Sequence, residues 1–486
     1  MAKKNWGFYG RRDELDAMTR ILLRNRWFFV KVTGRRRIGK TSLVQEALKS
    51  LGRERVVYLQ VPDSDPAGVI SAMRDFFSMF GIVGHEPHDL RSLAGSIAAL
   101  VRDGWIVAMD EFQYFHRSSL FEFTSHLQYE VDQLAKDATN VQGGLIVLGS
   151  IHTEMAALLE DRSAPLFNRV TDPIDLPHLD LASVLEIVRT HADDDPDRLL
   201  FLWNLFEGVP KFYRDCHEQD VLNANRRTLL TRMFFASSSP LRNEADNWFL
   251  RELRGRYDLV LKFVARHPGC TNGQLDEHAR SVDPSSEKQV GGYIKVLRER
   301  YGMIERLQPI FARSTQRNGR FYIRDNFLRS WLAALAMPAA SVNFRPLDSL
   351  VEEADRRLAE AEGHGLEKLA AALYEERSRK GKGDFALTSR IHGFWDRQGT
   401  ELDLVALDDA SKVLRLGTCK RSEAKLVSDL PAFDGHVQRF LAAMPRFRGW
   451  KVEKVAIAPR LREGSREAAR SCGFIPEDLE DLTRDL

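Results

Sequence analysis

Val32-Thr33-Gly34-Arg35-Arg36-Arg37-Ile38-Gly39-Lys40-Thr41-Ser42 is the stretch that decides the fold. Residues 27–32 are apolar but for Lys31 and residues 41–51 carry a helical pattern, so the order is strand, glycine loop, helix. The spacing G-x-x-x-x-G-K-T is that of a P-loop. In such a loop Gly34 and Gly39 let the backbone curl until successive N–H groups and the helix N-terminus converge on phosphate oxygens. The motif predicts that Lys40 reaches the β- and γ-phosphates of ATP and that Thr41 holds Mg²⁺. Arg35, Arg36, Arg37, Ile38 and Ser42 complete the expected nucleotide contacts. A chance glycine turn is the competing reading, and the strand before and helix after weigh against it.

The rest of the chain bounds what this loop can belong to. With 486 residues the protein exceeds what one core sustains, so three or four domains are expected. An apolar fraction of 43% and a charged fraction of 29% describe a soluble globular chain. No apolar run approaches the ~20 residues of a membrane span, and Lys3-Lys4 leads into Trp6-Gly7-Phe8 rather than an apolar signal core. A cytoplasmic location without membrane contact is the expectation. Cys216, Cys270, Cys419 and Cys472 are scattered with no C-x-x-C pair, which argues against a disulfide framework or a zinc site. A net charge of +2 is too small to imply a nucleic-acid partner, so any basic surface must be local.

Downstream, residues 55–61 read as a second strand and 89–101 as a helix. Residues 105–111 then form an apolar strand ending in Asp110-Glu111. One crossover after a P-loop, this looks like a Walker B strand: Asp110 would hold Mg²⁺ through water, and Glu111 would orient or deprotonate the attacking water. A buried strand with a polar exit is the alternative. Residues 144–149 deliver Ser150 at another strand end, where its hydroxyl contacts the γ-phosphate or the water, or only caps a helix. Ahead of the P-loop, Phe8-Tyr9-Gly10-Arg11 opens a helix with Leu15, Met18, Ile21 and Leu22 on one face. Residues 164–169 (APLFNR) precede a last strand near 170–176, and Gly208-Val209-Pro210 interrupt the helical region beyond.

In this order the aromatic-Gly-Arg box, the Arg-rich P-loop, the MDE and LGS strand ends, the PLFNR segment and the GVP turn resemble a known group. They are similar to the STAND branch of the AAA+-related P-loop ATPases. More closely they resemble the archaeal-type ATPase family, whose members carry a winged helix and a C-terminal restriction-endonuclease-like domain. The resemblance implies that nucleotide state acts as a conformational switch. It also implies that Gly10, Arg11 and Pro210 contact the nucleotide. Arg169 would be a γ-phosphate sensor, or an arginine finger given to a neighbouring copy in a homo-oligomer; a plain surface charge is the alternative.

From residue 257 the pattern changes to short helices, the third of which (287–301) carries Lys288, Lys295, Arg298 and Arg300. Residues 303–313 and 319–323 read as two strands around a Gln316-Arg317-Asn318-Gly319 turn. Three helices and a basic hairpin describe a winged helix. Its third helix would enter a major groove while Arg317 and Arg320 touch phosphate, unless the module only packs against its neighbours. Residues 338–346 read as a linker. Helices over 350–361 and 365–376 follow, then a strand in which Glu401 and Asp403 face one side, then a strand ending Gly417-Thr418-Cys419-Lys420. Glu367, Asp403 and Lys420 resemble the PD-(D/E)-x-K nuclease core, in which acids bind Mg²⁺ and the lysine activates water. Thr418 stands where that pattern has an acid. Glu367 and Asp403, with Glu401 as a substitute, are then the candidate ligands of a second Mg²⁺, and an impaired or DNA-binding nuclease fold is favoured over an active one.

The expected architecture is α/β: a P-loop NTPase core of the AAA+ kind over 1–178, a helical lid over 179–245, a winged helix over 246–335, a linker over 336–349 and a restriction-endonuclease-like domain over 350–486. The expected activity is that of an ATP- and Mg²⁺-dependent switch acting on DNA. A Mg²⁺-dependent DNA nuclease gated by ATP, and a nucleotide-dependent scaffold for a protein partner, remain open alternatives.

Overall fold

Five short strands build the first sheet: β1 (Phe28–Gly34), β2 (Val56–Gln60), β3 (Ile106–Asp110), β4 (Gly144–Gly149) and β5 (Asp172–Leu176). They are parallel throughout and lie in the order β2-β3-β4-β1-β5. The computed structural model describes residues 5–52, 55–150, 152–245, 253, 257–282, 287–312 and 318–486, without the side chains of 152 and 287–289. It divides into two compact units, one of residues 10–179 with 209–211 and one of residues 5–9, 180–208 and 212–486.

In the first unit helices α1 (Arg12–Leu22), α2 (Lys40–Ser50), α3 (Pro66–Met79), α4 (Leu90–Arg102), α5 (Glu122–Lys136) and α6 (His152–Leu159) connect and cover the strands. Parallel strands covered on both faces read as continuous apolar runs rather than alternating ones. Accordingly β4 is buried at every position and β1 at every position but Gly34. Phe29, Val57, Val107 and Leu145 from four strands share one core with Leu93 and Ile97 of α4 and Leu127 of α5. Helix α3 escapes a reading of apolar period alone. It is set by its start, where Asp65 accepts the Gly68 N–H at 2.8 Å and Pro66 occupies the first turn. Strands β1 and β3 both flank β4, so the P-loop, Asp110 and Ser150 leave the sheet at the carboxyl ends of three adjacent strands. That edge is where open α/β sheets bind ligands.

The second unit begins with helices Leu181–His191 and Pro196–Phe206, and its later helices include Tyr257–Arg266, Asn272–Val282 and Glu287–Glu299. An antiparallel hairpin of β6 (Ile304–Leu307) and β7 (Arg320–Ile323) follows. Gln316 and Arg317 lie outside the described residues. The chain then builds a second sheet from β8 (His392–Trp395), β9 (Glu401–Asp408), β10 (Val413–Cys419), β11 (Lys451–Ala458) and β12 (Ile475–Asp478). Its order is β12-β11-β10-β9-β8, antiparallel from β8 to β10 and parallel from β10 to β12. Helix Glu423–Ala443 lays Leu426, Leu430, Phe433, Val437 and Phe440, spaced by three and four, on this sheet. Ile310 and Phe311, just beyond β6, pack on the same core, and the Ile310 N–H donates to the Gly393 carbonyl at 2.9 Å. The hairpin is therefore tied to the second sheet by side chains and backbone alike.

The two helices expected over 350–361 and 365–376 are one 33-residue helix, Leu347–Arg379. Gly365 does not break it. A Cβ there would lie 2.2 Å from Asn204 Oδ1 on helix Pro196–Phe206, so the glycine marks a close approach of helices. The stretch read as a linker likewise contains helix Ala336–Ala340, whose alanines favour continuing a helix over breaking it. Among the described residues no helix is long and apolar enough to cross a membrane.

Candidate functional site

At the end of β1 the backbone turns through positive φ at Gly34 (148°), Arg37 (66°) and Gly39 (96°). Gly39 is the N-cap of α2 and has no side chain to cap it, so the first-turn N–H groups stay available to an anion. Ile38 is buried, Arg35 and Arg37 are half-buried, and Arg36 and Ser42 are exposed. Lys40 is buried, and its Nζ donates to the carbonyls of Gly34 (3.0 Å) and Arg35 (3.1 Å). Burial pushes its ammonium down to about 8, against the pull of Asp110 and Glu111. A buried cation held on two carbonyls, beside an uncapped helix N-terminus, fits a phosphate chain.

Thr41 Oγ1 donates to Asp110 Oδ2 at 2.8 Å, so the loop hydroxyl and the strand-end acid meet at one point. The Tyr58 hydroxyl on β2 donates to the same oxygen. Burial, then the Asp110 charge, raise the phenol well above its ordinary value and keep it a donor. The Glu111 N–H donates to Asp110 Oδ1 at 2.8 Å. Glu111 itself leaves the strand at φ 58°, and Ser150 Oγ reaches its Oε2 at 3.4 Å. This oxygen and hydroxyl set fits Mg²⁺, a hard cation that takes one or two carboxylates and a hydroxyl beside substrate phosphates.

Arg11, at φ 62°, is buried with its guanidinium on the carbonyls of Ile38 (3.3 Å) and Pro177 and on Glu14 (3.1 Å). It props the P-loop from behind, and the neighbouring Gly10 turns through φ 63° to place it there. Pro210 Cγ lies 3.8 Å from the point a Cβ on Gly39 would occupy. Arg169 makes a two-pronged pair with Asp132 of α5 (2.8 and 2.9 Å) and donates to the Phe167 carbonyl. Its guanidinium is engaged there and not at the P-loop. Two residues of this site went unread in the sequence: Tyr58, which looked like one apolar position of a strand, and Gln113, which is 1% exposed and donates to Glu111 Oε2.

The second unit holds a separate cleft of about 130 Å³, walled by Tyr322, His364, Glu367, Trp395, Glu401 and Asp403. Asp403 Oδ2 accepts from Thr418 Oγ1 (3.0 Å) and the Cys419 N–H (2.8 Å), and Lys420 Nζ lies 3.7 Å away. Burial, with the Glu367 charge behind it, lifts Asp403 to about 6; burial lifts Glu367 to about 7 against the pull of Lys420. His364 Nδ1 sits 3.2 Å from Glu367 Oε2, and the His364 ring stacks on Tyr322 of β7. Glu401 is turned to Arg320 of β7, whose guanidinium lies 4.6 Å over the Trp395 ring, and Trp395 Nε1 donates to the Asn318 carbonyl at 2.8 Å.

Two expectations change here. Arg320 is spent on Glu401 and Trp395 rather than offered to phosphate. Of the residues expected to hold a second Mg²⁺, Glu367, Glu401 and Asp403 wall one cleft, with Glu401 held by Arg320 and Asp403 accepting from Thr418; among the described residues no three His, Cys, Asp or Glu side chains are grouped to hold a metal ion. On the third helix Lys295 is exposed and Arg298 pairs with Glu299 at 2.6 Å.

A raised carboxyl binds its proton more tightly folded than unfolded. That contribution to stability is complete below the ordinary carboxylate values of 3.8 and 4.5 and is lost as pH rises through about 6 to 7. Glu367→Gln is therefore expected to melt higher than the unsubstituted protein at pH 8 and alike at pH 4. Glu367 keeps 34% of its side-chain surface open, so solvent reduces the gain to roughly 1 kcal/mol. Thermal unfolding at the two pH values checks this, and a lower melting temperature at pH 8 contradicts it.

A parallel sheet in this order, with a glycine loop, an acid and a serine at three adjacent strand ends, is the P-loop NTPase fold. No family model matches the chain. An uncharacterized protein of Methanocaldococcus jannaschii, MJECL04, is 25% identical over 406 residues, spanning 83% of this chain and 85% of that one. Among solved structures, the Walker-type ATPase PABY2304 of Pyrococcus abyssi superposes with a TM-score of 0.52 at 17% identity, covering 67% of this chain and 96% of its own. The ORC2 protein of Aeropyrum pernix gives a looser superposition, with a TM-score of 0.46 and 14% identity over 74% of this chain and 97% of that one.

Proposed function

We propose that the protein is an ATP-binding and ATP-hydrolysing switch of the STAND/AAA+ kind. Residues 1–178 would be its ATPase core, 246–335 a winged helix and 350–486 a nuclease-like domain. The observation that supports the reading is the Thr41–Asp110 hydrogen bond, with Lys40 on the carbonyls of the same loop, the hydroxyl, acid and cation that a P-loop site would use. Residues from Gly34 to Thr41 would hold the phosphates, and Thr41 with Asp110 would hold Mg²⁺, which when bound neutralises charge on the phosphate oxygens. Glu111 would take the proton of the attacking water. Pro210, beside Gly39, would be the residue that senses the loop's occupancy.

DNA is the proposed partner of the winged helix and C-terminal domain, through residues other than Arg320. A gated DNA nuclease is the second reading, favoured by Lys420 standing 3.7 Å from Asp403 with Glu367 beside it. The test is ATP turnover by the full chain with and without double- and single-stranded DNA, with Asp110→Asn as the control. Stimulation by DNA that Asp110→Asn loses supports a DNA-coupled switch. Turnover indifferent to DNA moves the reading to a switch for a protein partner, and no turnover sinks the ATPase. Metal-dependent cutting of plasmid DNA that Asp403→Ala abolishes would establish the nuclease.

A further inference from the structure

Gln113 carries more structure than a glutamine in a short turn needs. It sits in the 3-10 turn Phe112–His116 that follows Glu111, with Phe112 and Phe115 buried on either side of it and anchoring the turn in the core. A buried primary amide has to place two donors and an acceptor, so its partners fix its orientation. Nε2 donates to Glu111 Oε2, and Oε1 accepts the Ser150 N–H at 3.3 Å. Reversing the amide would set a donor against that N–H, so the network admits one orientation. The Ser150 hydroxyl also donates to Glu111 Oε2. That oxygen is engaged twice, while no hydrogen bond reaches Oε1 among the described residues. The amide reaches this place because residue 149 is glycine: a Cβ there would lie 2.8 Å from Gln113 Oε1.

We propose that Gln113 is the positioning residue of the hydrolytic acid. With Ser150 it holds Glu111 Oε2, so that Oε1 is the oxygen presented to water. The inference rests on the ATPase reading above. In the reaction the water oxygen bonds to the γ-phosphorus as a water proton passes to Glu111 Oε1. The bond from phosphorus to the bridging oxygen breaks with its electron pair leaving on ADP, so ATP and water give ADP and phosphate. Gln113 takes and gives no proton. Its contribution is geometric: Glu111, at φ 58°, stands just past the strand, and its direction comes from these side-chain bonds.

The experiment compares kcat, KM and ADP affinity of the full-length protein with those of Gln113→Met, which keeps length and volume without the hydrogen bonds. Ser150→Ala, which removes the other donor, serves should Gln113→Met fail to fold. The expected result for Gln113→Met is a kcat lower by roughly ten- to a hundredfold, the scale on which small misplacements of a reacting group act. KM and ADP affinity should stay within about threefold, because the hydrogen bonds of Gln113 among the described residues run to Glu111 and Ser150 and not to the P-loop. Placed in a Glu111→Gln background, Gln113→Met should cost nothing further, since a residue acting through Glu111 has nothing left to act on. A smaller fall in kcat at unchanged KM is expected for Ser150→Ala. The proposal is overturned if Gln113→Met or Ser150→Ala turns over like the unsubstituted protein, or if Gln113→Met costs as much again when Glu111 is already changed. An unsubstituted protein that binds ADP but does not hydrolyse ATP overturns the ATPase reading and this inference with it. Normal turnover abolished by Glu111→Gln but kept by Gln113→Met overturns this inference alone.

Discussion

Lys40→Ala is expected to weaken ATP binding by on the order of a hundredfold or more, the loss that follows removal of one partner from a desolvated charge pair. The same substitution should leave the ligand-free protein at least as stable as before. Lys40 is buried, held by two carbonyls, and depressed to about 8 from an ordinary 10.5. A depressed ammonium binds its proton less tightly folded than unfolded. Below pH 8 it burdens the fold in full, and the burden lifts as pH climbs from about 8 to 10.5. Removing the group at neutral pH relieves that burden, whereas bound phosphate would offset it in the native residue. Calorimetric titration with ATP and thermal unfolding with and without nucleotide read both halves. Near-normal affinity would sink the phosphate assignment. A ligand-free protein that melts markedly lower would show Lys40 to be part of the scaffold.

Glu111→Gln should separate binding from turnover. The substitution keeps shape and removes the ability to take a proton, so kcat should fall by roughly 10²- to 10⁴-fold, the usual contribution of a general base. ATP affinity should stay close to normal, because Lys40, Thr41 and the loop N–H groups are untouched. A mixture of this variant with ATP would then hold the triphosphate state long enough for study. Turnover within a few fold of normal would move the proton to another acceptor and leave Glu111 an electrostatic role.

The first sheet and its loop were readable because their signals are local. Two glycines that must adopt positive φ, a lysine and a hydroxyl residue at fixed spacing, and mainly apolar strands all declare themselves within a dozen residues. The partners of those residues were not. Gln113 and Tyr58 look like one turn position and one strand position until burial turns their polar atoms onto Glu111 and Asp110. Arg169 has the right neighbours in sequence for a sensor, but Asp132, thirty-seven positions away, occupies it. Gly365 shows the converse problem: a residue that commonly ends helices lies inside one, because Asn204 from a distant helix needs the space. In the C-terminal half Glu367, Asp403 and Lys420 could be named from spacing. The engagement of Glu401 by Arg320 could not, since it depends on how the hairpin folds back.

That folded-back hairpin bears on inheritance. Ile310 and Phe311 leave β6 and complete the hydrophobic interior of a sheet whose first strand begins some eighty residues later. A recombination event or truncation falling at residues 336–349 would strip those side chains from the sheet and leave the cleft without Arg320 and Tyr322. The hairpin and the second sheet should therefore travel through evolution as one cassette, exchanged or lost together, even though the chain between them reads like a boundary.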